Sequence, residues 1–307
     1  MVEVFEVKTK KQIKDFLNLP LEMYKDVEPF VPPLYGDEKK MFKSNYMYYD
    51  QSEAKCWVAY KGGKCVGRIQ GILQKASNEK WKQKRVRFTR VDFIDDEEVS
   101  KALFAKVEQF AKEKGMEEVV GPLNFSDLER EGLLIDGFEH MNTFEEQYNF
   151  PYYQKHIENL GYNKDVDWIE HRLWYNEEKA KKVISLSEKI LAKGKVHLVP
   201  KMKLKKFAAH YEEQFFEILD KTYDTIYGTV PFTPGMKDLL LKNFAPIINM
   251  DYVIAVVDNN DKIVAFGIGF PAMDRIFKKS NGHLYPSTIV KLLYNVHHPY
   301  AADLGLI

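Results

Sequence analysis

Apolar and polar positions alternate with period two over residues 2–7 (VEVFEV), which predicts a strand. Helical spacing takes over at 10–25, with Ile13, Phe16 and Leu17 on the inward face. A proline-bearing segment, PFVPPLYGDEKKMF, follows. Residues 56–73, CWVAYKGGKCVGRIQGIL, set two β-rich runs around Gly62-Gly63 and predict a hairpin. RVRFTRVDF (85–93) reads as a strand. Residues 96–114 read as a helix with Val99, Leu103, Val107 and Phe110 on one face and Gly115 as its stop. EEVVGPLNF (117–125) predicts a further strand, HIENLGY (156–162) the end of a helix, and DWIEHRLWY (167–175) a last strand.

The second half repeats this opening. After a polar helix at 177–193, KVHLVPKM is a strand, FAAHYEEQFFEILDKTYDTI a helix, and VPFTP a turn that echoes PFVPP. DYVIAVVDNNDKIVAFGIGF (251–270) is a second hairpin, around Asn259-Asn260. WVAYKGGKCVGRIQGI and YVIAVVDNNDKIVAFGIG agree in strand length, turn position and alternation, at an offset of roughly 195 residues. The shared order of elements favours duplication over a chance likeness of two hairpins. After an insertion at 271–299 comes a final strand, YAADLGLI, with no turn or helix behind it, which leaves a sheet unfinished. The expectation is a whole domain over 1–176 and a truncated one over 177–307.

Composition narrows the function classes. Lys plus Arg equals Asp plus Glu, 45 each, which gives no support for a nucleic-acid surface. Aromatics at 14% point to aromatic-lined cores and clefts, not disorder. The hairpin pairs Tyr60 with Cys65 and puts Cys56 well down the strand, so no disulfide is expected and the thiols suit a reducing compartment. No apolar run approaches membrane-spanning length, and the N-terminus lacks a signal peptide's basic start. The expectation is a cytoplasmic protein with no membrane and no nucleic-acid partner.

A first strand and helix, a long hairpin with Val66-Gly67 on its return strand, a strand feeding a helix, then strand, helix and strand around Leu160-Gly161-Tyr162 form a familiar order. It resembles the GNAT acyl-CoA N-acyltransferase fold, an α/β (α+β) mixed sheet. Together the halves resemble a bacterial family of tandem GNAT-like proteins, with sharper matches at FVPPL (30–34), VGRIQGI (66–72) and a block over 115–162 containing GPLNFS, GLLIDGF, YNFPYY and IENLGY. The resemblance implies two tandem GNAT-like folds, acetyl-CoA or another acyl-CoA as donor, no metal, and a small-molecule amine or peptide as acceptor.

In that fold the acyl-CoA pyrophosphate is understood to rest on backbone N–H groups of a loop patterned Q/R-x-x-G-x-G/A, between the fourth strand and the next helix. Orphan amides and the positive helix end meet the anion there. The first half has FIDDEEVSKALF instead, with no glycine and with Asp95, Asp96, Glu97 and Glu98 where two phosphates would sit. The acids read better as helix-start chemistry, Asp95 as N-cap with Glu98 three residues on forming a capping box. The tyrosine that the family often uses as general acid is replaced here by Ile157, which cannot donate a proton. The first half is therefore expected to lack the usual CoA site. In the second half the resemblance makes 303–307 the fourth strand, so the backbone of Asp303, Leu304, Gly305 and Leu306 is the candidate partner of the pantetheine.

Residues 121–153 form a long aromatic block with little periodicity, and loops of this length in compact domains are usually functional or disordered. Asn124, Ser126, Asp136, Tyr148, Asn149, Tyr152 and Tyr153 are candidates to line a cleft between the halves and hydrogen-bond a polar acceptor. The plainer reading is a self-packed loop covering the sheet, with turn-forming Asn and Ser and half-buried tyrosines. By the resemblance, Tyr223, Tyr227 and Phe232 fall where acceptor-binding residues often lie, and a role as core aromatics is at least an equal reading. His297-His298 lack metal-ligand spacing, and Gly267 and Gly269 sit on a strand, not at a dinucleotide-binding turn. Two functions stay open. One is an N-acyltransferase whose second half binds acyl-CoA while the first shapes the acceptor site. The other is a non-catalytic GNAT-fold binding or scaffold protein. The strand edge at 303–307 also suits a homodimer.

Overall fold

A computed structural model describes residues 1–306, apart from the side chains of 243 and 244. Its contacts divide the chain into two units: Met1–Val166 with Ile226–Met236 and Met273–Leu292, and Asp167–Thr225 with Lys237–Ala272 and Leu293–Ile307.

In unit 1, β1 (Val2–Glu6) leads into α1 (Lys10–Met23), whose Thr9 and Gln12 close a capping box at its start. The short α2 (Tyr35–Lys40) precedes the hairpin of β2 (Ser52–Lys61) and β3 (Lys64–Gln74). Its turn needs positive φ at both central positions, and Gly62 and Gly63 supply +59° and +78°. The register pairs Tyr60 with Cys65, as the two-residue loop requires, and both cysteines are free thiols. After α3 (Lys75–Trp81) come β4 (Arg85–Phe93), α4 (Glu97–Glu113), β5 (Glu118–Val120) and α5 (Tyr152–Asn159). The sheet order is β1-β2-β3-β4-β5, antiparallel except for the β4–β5 pair across α4.

The apolar stripe of α4, with Val99, Leu103, Val107 and Phe110 buried, packs on this sheet. Gly67 lets it come close: a Cβ there would lie 2.7 Å from Leu103 Cδ1 and 2.9 Å from Val99 Cγ1. Other expectations need correcting. The strand over 117–125 shortens to Glu118–Val120, because Pro122 has no N–H to give the ladder. Residues 167–175 have no regular structure and no ladder partner, and Ile169, Leu173, Trp174 and Tyr175 are exposed. The α4 N-cap is Asp96, not Asp95, with its carboxylate accepting from Glu98 N. Glu98 does not close a box. Its carboxylate takes Val2 N–H at 3.0 Å and faces Lys61 at 3.2 Å.

Unit 2 contains α6 (Glu177–Leu191), β6 (Val196–Leu198), α7 (Leu204–Tyr223), α8 (Pro234–Phe244), β7 (Val253–Asp258) and β8 (Ile263–Pro271). The insertion before β9 (Ala302–Leu306) holds α9 (Asp274–Lys279), which belongs to unit 1, and α10 (Pro286–His297), which begins in unit 1 and ends in unit 2. The second hairpin turn spans Asp258 to Lys262, wider than Asn259-Asn260 alone, because the Asp258 carboxylate gathers the N–H groups of Asn260 and Lys262. The order β6-β7-β8-β9 repeats that of β1-β2-β3-β4. The irregularities repeat too. The first hairpin slips register at Ala59/Tyr60 and the second at Val256/Val257. The third and fourth strands slip at Arg68/Gln70 in one sheet and at Ile268/Gly269 in the other. Bulges at matched positions are a much narrower likeness than hairpin length.

Candidate functional site

Polar residues alternate with apolar ones along the two inner strands: Arg68 and Gln70 on β3, Arg87, Thr89 and Asp92 on β4, all buried. One face of the sheet meets α4. The other carries charge into the interior, where it must be paired.

The pairing is nearly complete. Arg68 Nε donates to Asp92 Oδ2 at 2.6 Å, while its Nη1 caps the Phe16 carbonyl at 3.0 Å. Arg90 grips Glu38 with both arms of its fork, at 2.8 and 2.9 Å. Its Nη1 also donates to Gln70 Oε1 at 2.7 Å and to Asn124 Oδ1. Arg90 has φ +45°, at the bulge where β4 slips against β3. Burial pushes the Glu38 carboxyl up, but Arg90, Arg68 and Arg130 outweigh it, and it lies below its ordinary value. Burial also raises Asp92, against the pull of Arg68. A neutral Asp92 would strand the Arg68 charge, since a guanidinium does not give up its proton. We read Asp92 as an anion. Glu129, whose Oε1 lies 3.7 Å from Arg90 Nη2, is pushed up to about 7 by burial.

These groups surround a cavity of about 20 Å³, room for one or two waters. Glu38, Arg68, Arg90, Asp92, Asn124 and Arg130 form its polar wall. Pro20, Phe30, Pro33, Gln147 and Tyr148 complete it.

The residues expected from sequence divide. Asn124 and Tyr148 line the cavity, Asn124 tying Arg90 to the Arg130 carbonyl and Tyr148 donating to the Phe138 carbonyl at 3.0 Å. Tyr153 is buried one shell behind, with its hydroxyl on Tyr24 and on Phe93 N–H. Tyr152 donates to the Phe93 carbonyl. Ser126 faces Tyr48 Oη at 3.3 Å, and Asn149 clamps the backbone of Leu134 from both sides. Asp136 is exposed. Tyr227 hydrogen-bonds Asp165 and takes a donor from Arg85, away from the cavity wall. Asp303, Leu304, Gly305 and Leu306 all belong to β9 in unit 2. Glu38, Arg68, Arg90, Asp92 and Arg130 are not among the residues expected from sequence; of these, Arg68, Arg90 and Asp92 stand on the two inner strands, where charged residues among apolar ones are a legible signal.

The start of α4 in unit 1 is occupied by its own contacts. Glu98 N is taken by the Asp96 carboxylate, and Val99 N and Ser100 N by the Asp96 carbonyl at 3.0 and 3.2 Å. Lys61 answers Asp96 and Glu98, and Asp95 Oδ1 lies 2.8 Å from His156 Nε2. One helix-end amide is thus held by a side chain, two by the Asp96 carbonyl, and the nearby lysine by carboxylates. In unit 2, Asp303 pairs with Phe270, Leu304 with Gly269 and Leu306 with Ile268, so Gly305 stands outside the one-to-one register. A Cβ on Gly305 would lie 2.1 Å from the Phe270 ring. Any pyrophosphate turn after β9, and Ile307 itself, lies outside the described residues. Among the described residues no group of His, Cys, Asp or Glu could hold a metal ion.

No family model matches the sequence. Two curated relatives align along most of it. Protein YghO of Escherichia coli (strain K12) is 28% identical over 294 residues, 94% of this chain and 73% of that protein. The bacterial ceramide synthase of Caulobacter vibrioides (strain NA1000 / CB15N) is 24% identical over 301 residues, 96% of this chain and 76% of that protein. Among solved structures, a tandem GNAT protein from the clavulanic acid biosynthesis pathway covers 88% of this chain and 74% of its own, with TM-score 0.47 and 10% identity. A predicted acetyltransferase with acetyl-CoA from Clostridium acetobutylicum covers 56% and 96%, with TM-score 0.36 and 10% identity. Unit 1 has a GNAT-like fold, and unit 2 repeats its first four strands. The GNAT-like assignment rests on the strand order, the crossover through α4 and the repeated bulges. At such low identity the solved structures say nothing about chemistry. No helix among the described residues is long and apolar enough to cross a membrane.

Proposed function

We propose that this chain is an N-acyltransferase that moves an acyl group from an acyl-CoA thioester to an amine. The observation that carries the reading is the alignment with a protein named as a ceramide synthase over 96% of this chain. Ceramide is an amide of a long-chain amino alcohol, and amide formation is the chemistry the GNAT-like resemblance implies. In this reading the donor lies along β9, and the Gly305 N–H, freed from regular register, is the hydrogen-bond donor for the thioester oxygen. The amine nitrogen forms the new C–N bond as the C–S bond breaks, and the nitrogen's proton leaves with the thiolate. Asn124 and Tyr148, in the cavity wall of unit 1, are the candidate hydrogen-bond partners of a polar acceptor. Acetyl-CoA and a long-chain acyl-CoA titrated by calorimetry, followed by thiol release with a panel of amines and mass detection of the amide, test this. Saturable heat and an amide product support it.

The second reading is a GNAT-fold binding protein without chemistry. It draws on the α4 start of unit 1, where Asp96 holds the Glu98 N–H and pairs with Lys61. Absence of heat with both thioesters favours it.

A further inference from the structure

The α10 helix is turned inside out. Pro286, Ile289, Val290, Leu293, Tyr294 and His297 fall on one side of it at the helical period, and that side is the outward one. Ile289, Val290, Leu293 and Tyr294 are between 44 and 67% exposed, as are Leu284 and Tyr285 just before the helix. The inward side holds Thr288 and Asn295, both buried, with Val296. The Asn295 amide donates to the Ala272 carbonyl at 2.9 Å, so polar contacts help hold the helix while most of its larger apolar side chains face solvent. A single exposed leucine is ordinary, but a continuous apolar stripe marks a surface that meets something.

Charge decides what that is. From Arg275 to Ala302 the sequence holds Arg275, Lys278, Lys279 and Lys291 and no Asp or Glu, in a chain whose acids and bases balance at 45 each. Lys278 answers Glu28 at 2.6 Å, and Lys291 stands on α10 itself, at the margin of the apolar stripe. An apolar stripe with exposed tyrosines and a lysine at its edge is the pattern of a helix that lies in the interface of an anionic bilayer. At 12 residues, the helix is about 18 Å long against a hydrocarbon core of about 30 Å, so it lies on a bilayer and does not cross it. The other exposed apolar stretch, around Trp174, Val183 and Leu186, carries Glu177, Glu178 and Glu188 among its lysines and has no such bias. A second copy docked face to face would set the same positive surplus against itself.

We propose that the outward face of α10, with Leu284 and Tyr285, docks on the surface of a bilayer that contains anionic phospholipid. The helix lies in the plane of the headgroups. Ile289, Val290 and Leu293 enter the acyl boundary, Tyr285 and Tyr294 stay at headgroup level, and Lys291 meets lipid phosphate. The attachment is peripheral and reversible, and salt weakens it. The surface belongs to a single helix, is independent of acyl transfer and needs no acyl donor.

The test is flotation of the purified chain with two sets of vesicles, phosphatidylcholine alone and phosphatidylcholine with a minor share of phosphatidylglycerol. The bound fraction should be several-fold higher on the anionic vesicles and should fall as salt is raised. Ile289→Ser with Leu293→Ser should remove it while the far-ultraviolet circular dichroism stays as it was, because both side chains are exposed. Lys291→Glu should weaken binding roughly fivefold or more. Should the double variant misfold, Lys291→Glu alone decides, and an unchanged bound fraction overturns the proposal. Val183→Ser with Ile184→Ser, on α6, should leave binding as it is. Sedimentation velocity without lipid covers the rival occupant: a dimer that Ile289→Ser with Leu293→Ser dissolves gives the face to a second copy and overturns the proposal. Equal binding to both vesicles, binding to neither, or binding lost through the α6 pair and kept by the α10 pair overturns it as well.

Discussion

Tyr24 Oη stands 3.0 Å from Tyr153 Oη, and the direction of every proton around that contact is fixed. Phe93 N–H, which can only donate, meets Tyr153 Oη at 3.0 Å, and the Asp92 carboxylate, which can only accept, meets Tyr24 Oη at 2.9 Å. Tyr153 must therefore donate to Tyr24, giving a one-way chain from the β4 backbone to a buried anion.

Removing the Tyr153 hydroxyl breaks the chain in the middle and leaves Phe93 N–H without a partner. Tyr153→Phe should lose about 1–3 kcal/mol in urea unfolding, more than an ordinary hydroxyl deletion at the surface. Burial first, then Asp92, holds both phenols well above the ordinary tyrosine range. In an ultraviolet pH titration, Tyr24 and Tyr153 should stay silent until the protein unfolds.

Arg90 and Glu38 form a buried ion pair with both oxygens used. Glu38→Gln leaves the guanidinium only Glu129, at 3.7 Å, and should cost about 3–5 kcal/mol. Replacing both, as Glu38→Leu with Arg90→Met, should cost less than the single change, and a double-mutant cycle in urea measures the difference. A double variant as unstable as the single one would falsify the pairing argument.

The sequence carried much of this fold and less of the site, for a physical reason. Turn chemistry is local: Gly62-Gly63 dictated the register Tyr60 to Cys65 without reference to the rest of the chain. The N-cap of α4 was misplaced by one residue because four consecutive acids offer equivalent caps, and only the contacts of Asp95 with His156 and of Glu98 with Val2 separate them. Asn124 and Tyr148 stand in the cavity wall, and the length of their aromatic loop was what made them candidates. Arg130 sits in the same loop, but its meaning depends on Phe144 and Val31 carbonyls brought to it by folding. Glu38, likewise, is an unremarkable helix acid until β4 turns Arg90 toward it.

Two carboxyls make unit 1 sensitive to mild alkali. Burial pushes Glu129 up to about 7 and Glu131 up to about 8. Each binds its proton more tightly in the folded chain than in the unfolded one. The stability this adds is complete below the ordinary carboxylate range, and is lost as pH rises through those values. Stability should therefore fall between about pH 5 and about pH 8, by an amount on the order of 1–3 kcal/mol per group, and the melting temperature should fall with it. Glu131 has a buried Oε1 without a hydrogen-bond partner among the described residues, so Glu131→Gln should flatten the alkaline limb.

Gly305 tests unit 2. A methyl group there meets the Phe270 ring, so Gly305→Ala must displace either the ring or the bulge. Acyl-CoA binding by calorimetry should weaken roughly tenfold or more, as expected for one lost backbone donor.

The φ of +45° at Arg90 has a consequence in time as well as energy. A side-chain-bearing residue in the left-handed region costs about 1–3 kcal/mol, and here Glu38 of α2 and Asn124 of the long loop hold it there. Neither belongs to the sheet. The centre of β4 therefore cannot take its final shape until segments from outside the sheet have closed over it. Amide protons on either side of Arg90 should exchange at the pace of the 121–149 loop, not of the neighbouring strands. A protease cut in that loop would first be felt at the middle of the sheet.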